Sequence, residues 1–287
     1  MAQFLINSIV FPATEVHLGT SNNAPHEFNE TLVLPTSVTP RISDLLMPVS
    51  AGGKFYAKLY EIPDAMPRYY GVAFPFGITD IGTVNIFFHP STAHARMSPK
   101  DYVGLAGAWS PLFRYVQYFG VQLAAAAANI VWVMPMIDSN VWPDIGILKS
   151  KFVDVVNAIL VEVQKVAWPD APGQTMVRNQ TALQTVILSA FSAGRISMAG
   201  ARNVAAINIL SREIWDFDGA GAAPPAPPRG GQALRYNQGT GPGGLTLFHV
   251  PPPRWVRFPF YSPGIDVHGH IPQRLAYHAA LNSAFGH

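Results

Sequence analysis

The 287-residue chain contains no cysteine. That absence removes disulfides, thiolate metal ligands and cysteine nucleophiles together. Charge is also scarce, with Asp, Glu, Lys and Arg making up 13% of the residues. This is about half the usual share. A low-charge surface or a large apolar interior would each account for it. The 49% hydrophobic content, in a chain this long, can build a core without covalent staples. The formal net charge is +2 and the basic residues are scattered, so no nucleic-acid footprint is expected. Long apolar runs are missing too. The most apolar stretch, Val121 to Ile137, is shorter than a membrane span and is interrupted by Asn129 and Pro135. Met1 to Val10 has neither a basic start nor a long apolar segment. No signal peptide and a cytoplasmic location are therefore expected.

What is present is an alternation of strand and helix patterns. Strands are predicted at Lys54–Ile62, Thr83–Phe88, Ile130–Met134, Val186–Ala190, Ile214–Phe217 and Leu245–Val250. Helices are predicted at Trp109–Ala128, with an upstream start signal at Ser98-Pro99, and at Leu148–Trp168. Two more are predicted from Gly194 to at least Ala201 and at Ile271–Phe285. Residues 1–53 are polar and turn-rich, and read as extra strands at a sheet edge. Residues 219–244 are rich in Gly and Pro and read as a loop. With no repeat and no linker, residues 1–287 are expected to form a single domain. The expected fold class is α/β, a mostly parallel central sheet with helices on both faces. Such sheets place ligands at the carboxyl ends of their strands.

The segment Val186-Ile187-Leu188-Ser189-Ala190-Phe191-Ser192-Ala193-Gly194-Arg195 runs from a buried strand through a tight turn into a helix. Small residues stand two positions either side of Ser192, which lets strand and helix approach closely. The Ala193 N–H, at the helix start, can face a developing oxyanion. The plainer alternative is a serine capping the helix that begins at Ala193. The pattern resembles the nucleophile elbow of α/β-hydrolase-fold serine hydrolases, esterases and lipases among them. It departs from the usual motif in having Ala190 where a glycine is common. The resemblance covers roughly residues 54–287 and rests mainly on the order of elements.

The resemblance implies a Ser-His-Asp triad with chain order serine, acid, histidine. The base is then His268, in His268-Gly269-His270-Ile271-Pro272, a loop directly before the last helix; His270 is the alternative. No carboxylate follows the strand at 245–250, which ends in Pro251-Pro252-Pro253. The acid is therefore placed one strand earlier, at Asp218, with Asp216 and Asp266 as alternatives. The second oxyanion donor falls in Phe87–Thr92. Pro90 has no N–H, so the Ser91 backbone is the candidate, and His89 reads as a brace for this loop. The implied function is a carboxylic ester hydrolase acting on a small-molecule ester through an acyl-enzyme, with no cofactor and no metal. Phe191, Trp215, Phe217 and Trp142 near the site point to an apolar acyl or aryl substrate. Two other readings stay open. One is a non-catalytic binding or structural protein on the same fold. The other is a metal-dependent enzyme that uses the His268/His270 pair with Asp266.

Overall fold

Continuous apolar runs build the centre of the sheet, because a strand covered on both faces has no side to leave polar. The computed structural model describes residues 13–16, 26–27, 53–63, 65, 67–90, 102–137, 148–168, 183–219, 223, 226–240, 246–250, 254–257 and 267–285. The strands are β1 (Thr14–Glu15), β2 (His26–Glu27), β3 (Lys54–Glu61), β4 (Tyr69–Pro75), β5 (Thr83–Phe88), β6 (Val131–Pro135), β7 (Thr185–Phe191), β8 (Ser211–Phe217), β9 (Gln232–Thr240), β10 (Thr246–Val250) and β11 (Arg254–Arg257). They form one sheet in the order β1-β3-β4-β6-β5-β7-β8-β9-β10-β11, with β2 also paired to β3. The five central strands, β6-β5-β7-β8-β9, are parallel. The outer pairings on both sides are antiparallel.

Among the described residues, five helices cover the sheet: α1 (Tyr102–Ala125), α2 (Leu148–Ala167), α3 (Gly194–Arg202), α4 (Ala205–Leu210) and α5 (Val267–Leu281). Strand alternation sorts the core into two layers. On one face Phe87, Trp132, Ile187 and Phe217 pack with Phe119 of α1 and Leu275 of α5. On the other, Ile86, Val133, Leu188 and Ile214 pack with Val155 of α2, Met198 of α3 and Ile207 of α4. Each such side chain, once buried, contributes about 1.5–3 kcal/mol. The architecture is α/β, with a parallel centre and helices on both faces, as the alternation of patterns implies.

Several boundaries differ from the sequence reading. Residues 232–240, read as part of a Gly/Pro-rich loop, form β9, which pairs parallel with β8 and antiparallel with β10. Leu234 and Tyr236 alternate into one core layer, while Ala233 packs against the other. That period of two is masked by the glycines and prolines at either end. β4 is a further buried strand outside the sequence reading; Gly71 within it and Pro75 at its end interrupt the apolar run. The fragments β1 and β2, from the first 53 residues, do lie at the sheet edge against β3. The start signal at Ser98-Pro99 lies outside the described residues. The last helix starts at Val267, four residues before Ile271. Pro272 therefore lies inside it, without an N–H for the His268 carbonyl. Ile271 and Leu275, one turn apart, bury against the sheet and carry the helix past the proline.

Helix α1 ends three residues earlier than its alanine run suggests. Ala127 takes φ 51°, the Ala127 N–H donates to Ala124 O (3.1 Å) and the Ala128 N–H to Leu123 O (3.0 Å). This is the Schellman arrangement with alanine at the left-handed position. An L side chain there costs about 1–2 kcal/mol. Ala127→Gly is expected to raise stability by about 1 kcal/mol. An upward shift of the urea midpoint at unchanged m-value checks this.

Candidate active site

The carboxyl ends of the parallel strands share one edge, where Ser192 closes β7 and Asp218 closes β8. Ser192 has φ 51°, a conformation non-glycine residues seldom adopt. It is half-buried, and α3 starts two residues on at Gly194. The turn is held by close packing. A Cβ built on Gly194 would collide with the Phe88 carbonyl oxygen and stand 2.7 Å from its carbon. Ala190 is fully buried and pairs with Phe88 from the strand side. Beneath the turn, the Ser189 hydroxyl donates to Asn85 Oδ1 on β5. The capping alternative finds no support: the helix cap is Ala193, and no side chain caps it. Among the described residues, no hydrogen bond engages the Ser192 hydroxyl or the Ala193 N–H.

The two aspartates of β8 have separate environments. Register pairs Ala190 with Asp216 and Phe191 with Phe217, so Ser192 and Asp218 each directly follow the last paired residues. Asp218 also has φ 51°, is half-buried, and donates its N–H to Tyr236 O at 2.7 Å. Its chain has left the pleat, so strand alternation no longer sets its direction. Asp216 is fully buried and both oxygens are engaged. Oδ2 accepts from Arg195 Nη1 at 2.9 Å, and Oδ1 accepts from the Gly219 N–H at 2.9 Å. Burial pushes its carboxyl above the ordinary value, opposed by the Arg195 guanidinium. Alternation also aims it at the Ile214 face of the sheet, away from α5. Asp216 is thus a partner of Arg195, not a free acid. Sequence reading passed over Arg195 and Gly219. The available signals were a basic residue straight after the elbow glycine and the run Asp216-Phe217-Asp218-Gly219 at a strand end.

His89 follows β5 and is buried. Nδ1–H donates to Pro90 O (2.7 Å), and Nε2 accepts from the Ile137 N–H (3.0 Å) just beyond β6. It braces this edge, as its position suggested, and needs a neutral ring to do so. Burial lowers its pKa from 6.5 to about 4. The folded value lies below the unfolded one. The stability it contributes is therefore complete above pH 6.5 and is lost as pH falls toward 4. The expected loss is about 3 kcal/mol. Urea unfolding between neutral and acidic pH, wild type against His89→Gln, checks it: the variant should lack this component.

Helix α5 carries the candidate histidines. Its far end is tied to the strand starts. Phe285 O accepts from Thr83 Oγ1 (3.2 Å), Asn282 O from Gln232 Nε2 (2.7 Å), and the Ala284 N–H donates to Glu213 Oε1 (2.6 Å). Nearer its start, Gln122 in the last turn of α1 donates to Pro272 O (3.4 Å) and accepts from the Tyr277 N–H (3.0 Å). His268 and His270 lie in the first turn of α5, on helix backbone rather than in a loop. Their side-chain positions, and all of Ser91, Asp266 and Trp142, lie outside the described residues.

Phe191, Trp215 and Phe217 do not line a substrate site. They are 3%, 0% and 0% exposed and belong to the core layer beneath α1 and α5. Strand alternation turns them inward, so these three aromatics give no ground for an apolar acyl or aryl substrate. Among the described residues, no three His, Asp or Glu groups converge as a metal site requires, and no helix is long and apolar enough to cross a membrane.

No family model matches the sequence, and no curated protein is similar to it. Among solved structures the chain is similar to a lipase candidate from Sulfolobus solfataricus, at 14% identity and a TM-score of 0.30. The match covers 59% of this chain and spans about half the length of the other, 47%.

Proposed function

We propose that the protein is a serine hydrolase that cleaves a small-molecule ester through an acyl-enzyme. The observation that carries this reading is the backbone of Ser192. A non-glycine residue with positive φ, between a parallel strand and a helix, is strain that packing must sustain. Strained turns of this kind present a nucleophile at the carboxyl edge of the sheet.

In this reading Ser192 attacks the ester carbonyl as His268 takes its proton. His268 then returns the proton to the leaving alkoxide. Asp218, beside Ser192 on the next strand, orients the imidazole and stabilises its charged form. The Ala193 N–H, at the start of α3, donates to the tetrahedral oxyanion, and the Ser91 N–H is its second donor. Water, activated by the same imidazole, releases the acid and regenerates Ser192.

A fluorophosphonate probe tests the proposal. Covalent labelling is expected on the peptide containing Ser192, read by mass spectrometry. Folded protein that stays unlabelled under conditions that label a control serine hydrolase would sink the proposal and leave the non-catalytic reading.

A further inference from the structure

We infer that Asp216 is a positioning residue that sets the nucleophile turn and the acid turn relative to each other. The inference rests on the serine-hydrolase reading. Its basis is a division of labour within one buried carboxylate. Oδ2 holds Arg195 Nη1 at 2.9 Å, and Arg195 lies three residues after Ser192 in the first turn of α3. Oδ1 holds the Gly219 N–H at 2.9 Å, and Gly219 directly follows Asp218.

The two turns need such a tie. Ser192 and Asp218 both have φ 51° and both lie one step beyond the last paired residues, Phe191 and Phe217. The pairing of β7 with β8 therefore does not fix them relative to each other. The Asp218 N–H to Tyr236 O bond anchors the acid turn to β9, not to the elbow. Asp216 reaches both sides. Gly219 completes it: a Cβ there would stand 2.6 Å from Asp216 Oδ1 and 2.7 Å from Arg195 Cδ. The guanidinium, the carboxylate and the Gly219 backbone are thus packed as one unit. Asp216 touches no reacting atom in this arrangement. It acts through the distance between Ser192 and Asp218, so it affects the rate of the chemical step more than substrate binding.

Arg195→Met combined with Asp216→Asn tests this. The pair of changes leaves no buried unpaired charge, and the introduced amide oxygen can still accept from Gly219. Only the tie to the elbow is removed. With a p-nitrophenyl ester as substrate, kcat is expected to fall roughly 10- to 100-fold, the scale of a misplacement of about 1 Å. KM should stay within about twofold, because uniform binding is untouched. Arg195→Lys keeps the ion pair and is expected to recover most of the rate. A folded double variant with wild-type kcat overturns the inference. If the double variant does not fold, Asp216→Glu replaces it. The extra methylene shifts both bonds, so unchanged kcat there also overturns the inference. These failures differ from failure of the parent reading, in which wild-type protein would show neither probe labelling nor ester hydrolysis.

Discussion

Ser192→Ala is expected to abolish ester hydrolysis, with kcat falling on the order of 10⁶-fold, as when the nucleophile of a triad is removed. Fluorophosphonate labelling should vanish with it. The fold should survive, because alanine occupies the same φ 51° position under the same strain. Ser192→Gly separates activity from stability. Glycine adopts positive φ without steric cost, so this variant should be equally inactive but about 1 kcal/mol more stable. Stability would then rise as function disappears, which is how a strained functional residue behaves. Equal or lower stability of the glycine variant in urea unfolding would mean that the turn stores no strain. Retained hydrolysis in either variant would remove Ser192 from the mechanism.

Gly194→Ala is expected to be the most damaging single-methyl change at this edge. The added carbon would overlap the Phe88 carbonyl oxygen and lie 2.8 Å from His89 O. Both obstacles are backbone, so no side-chain rotation relieves them. Either α3 lifts from β5 or the end of β5 bends, and each opens a packed core. Overpacking of this kind costs about 1–3 kcal/mol or more. The damage reaches further because His89 is itself latched to Pro90 O and the Ile137 N–H. The variant is expected to melt well below wild type and to lose hydrolysis even where still folded. Gly200→Ala is the control, since a Cβ there meets nothing within 4 Å. It should be neutral or slightly stabilising. Equal melting temperatures for the two variants would contradict the packing argument.

The centre of the sheet was legible because β5, β6 and β7 are short, continuous apolar runs, as double burial demands. The tight turn between β7 and α3 was legible for a related reason: Gly194 stands where helix and strand touch, and nothing larger fits. β9 was not legible, because its alternation covers only Leu234 to Tyr236 between two Gly/Pro-rich stretches. The start of α5 was misplaced because Pro272 looks like a first-turn residue. The helix tolerates it further in, through the packing of Ile271 and Leu275. The role of Asp216 was out of reach from sequence. Its partner Arg195 lies 21 positions away, and nothing local distinguishes a carboxylate that binds an arginine from one that would orient a histidine. The aromatics next to the site misled for the same reason: adjacency in sequence says nothing about which face a strand residue takes.

The strand order has a consequence for how the chain is made. β5 sits between β6 and β7. During synthesis its first neighbour arrives with β6, but its other edge stays bare until β7 begins, 50 residues after Pro135 (185 − 135). At about 5–20 residues per second that interval is roughly 3–10 s. Throughout it, the nascent chain presents Thr83-Val84-Asn85-Ile86-Phe87-Phe88, an unpaired apolar edge suited to pairing with another chain. The strand that later supports the Ser192 turn is thus also an edge that the newborn protein exposes to aggregation.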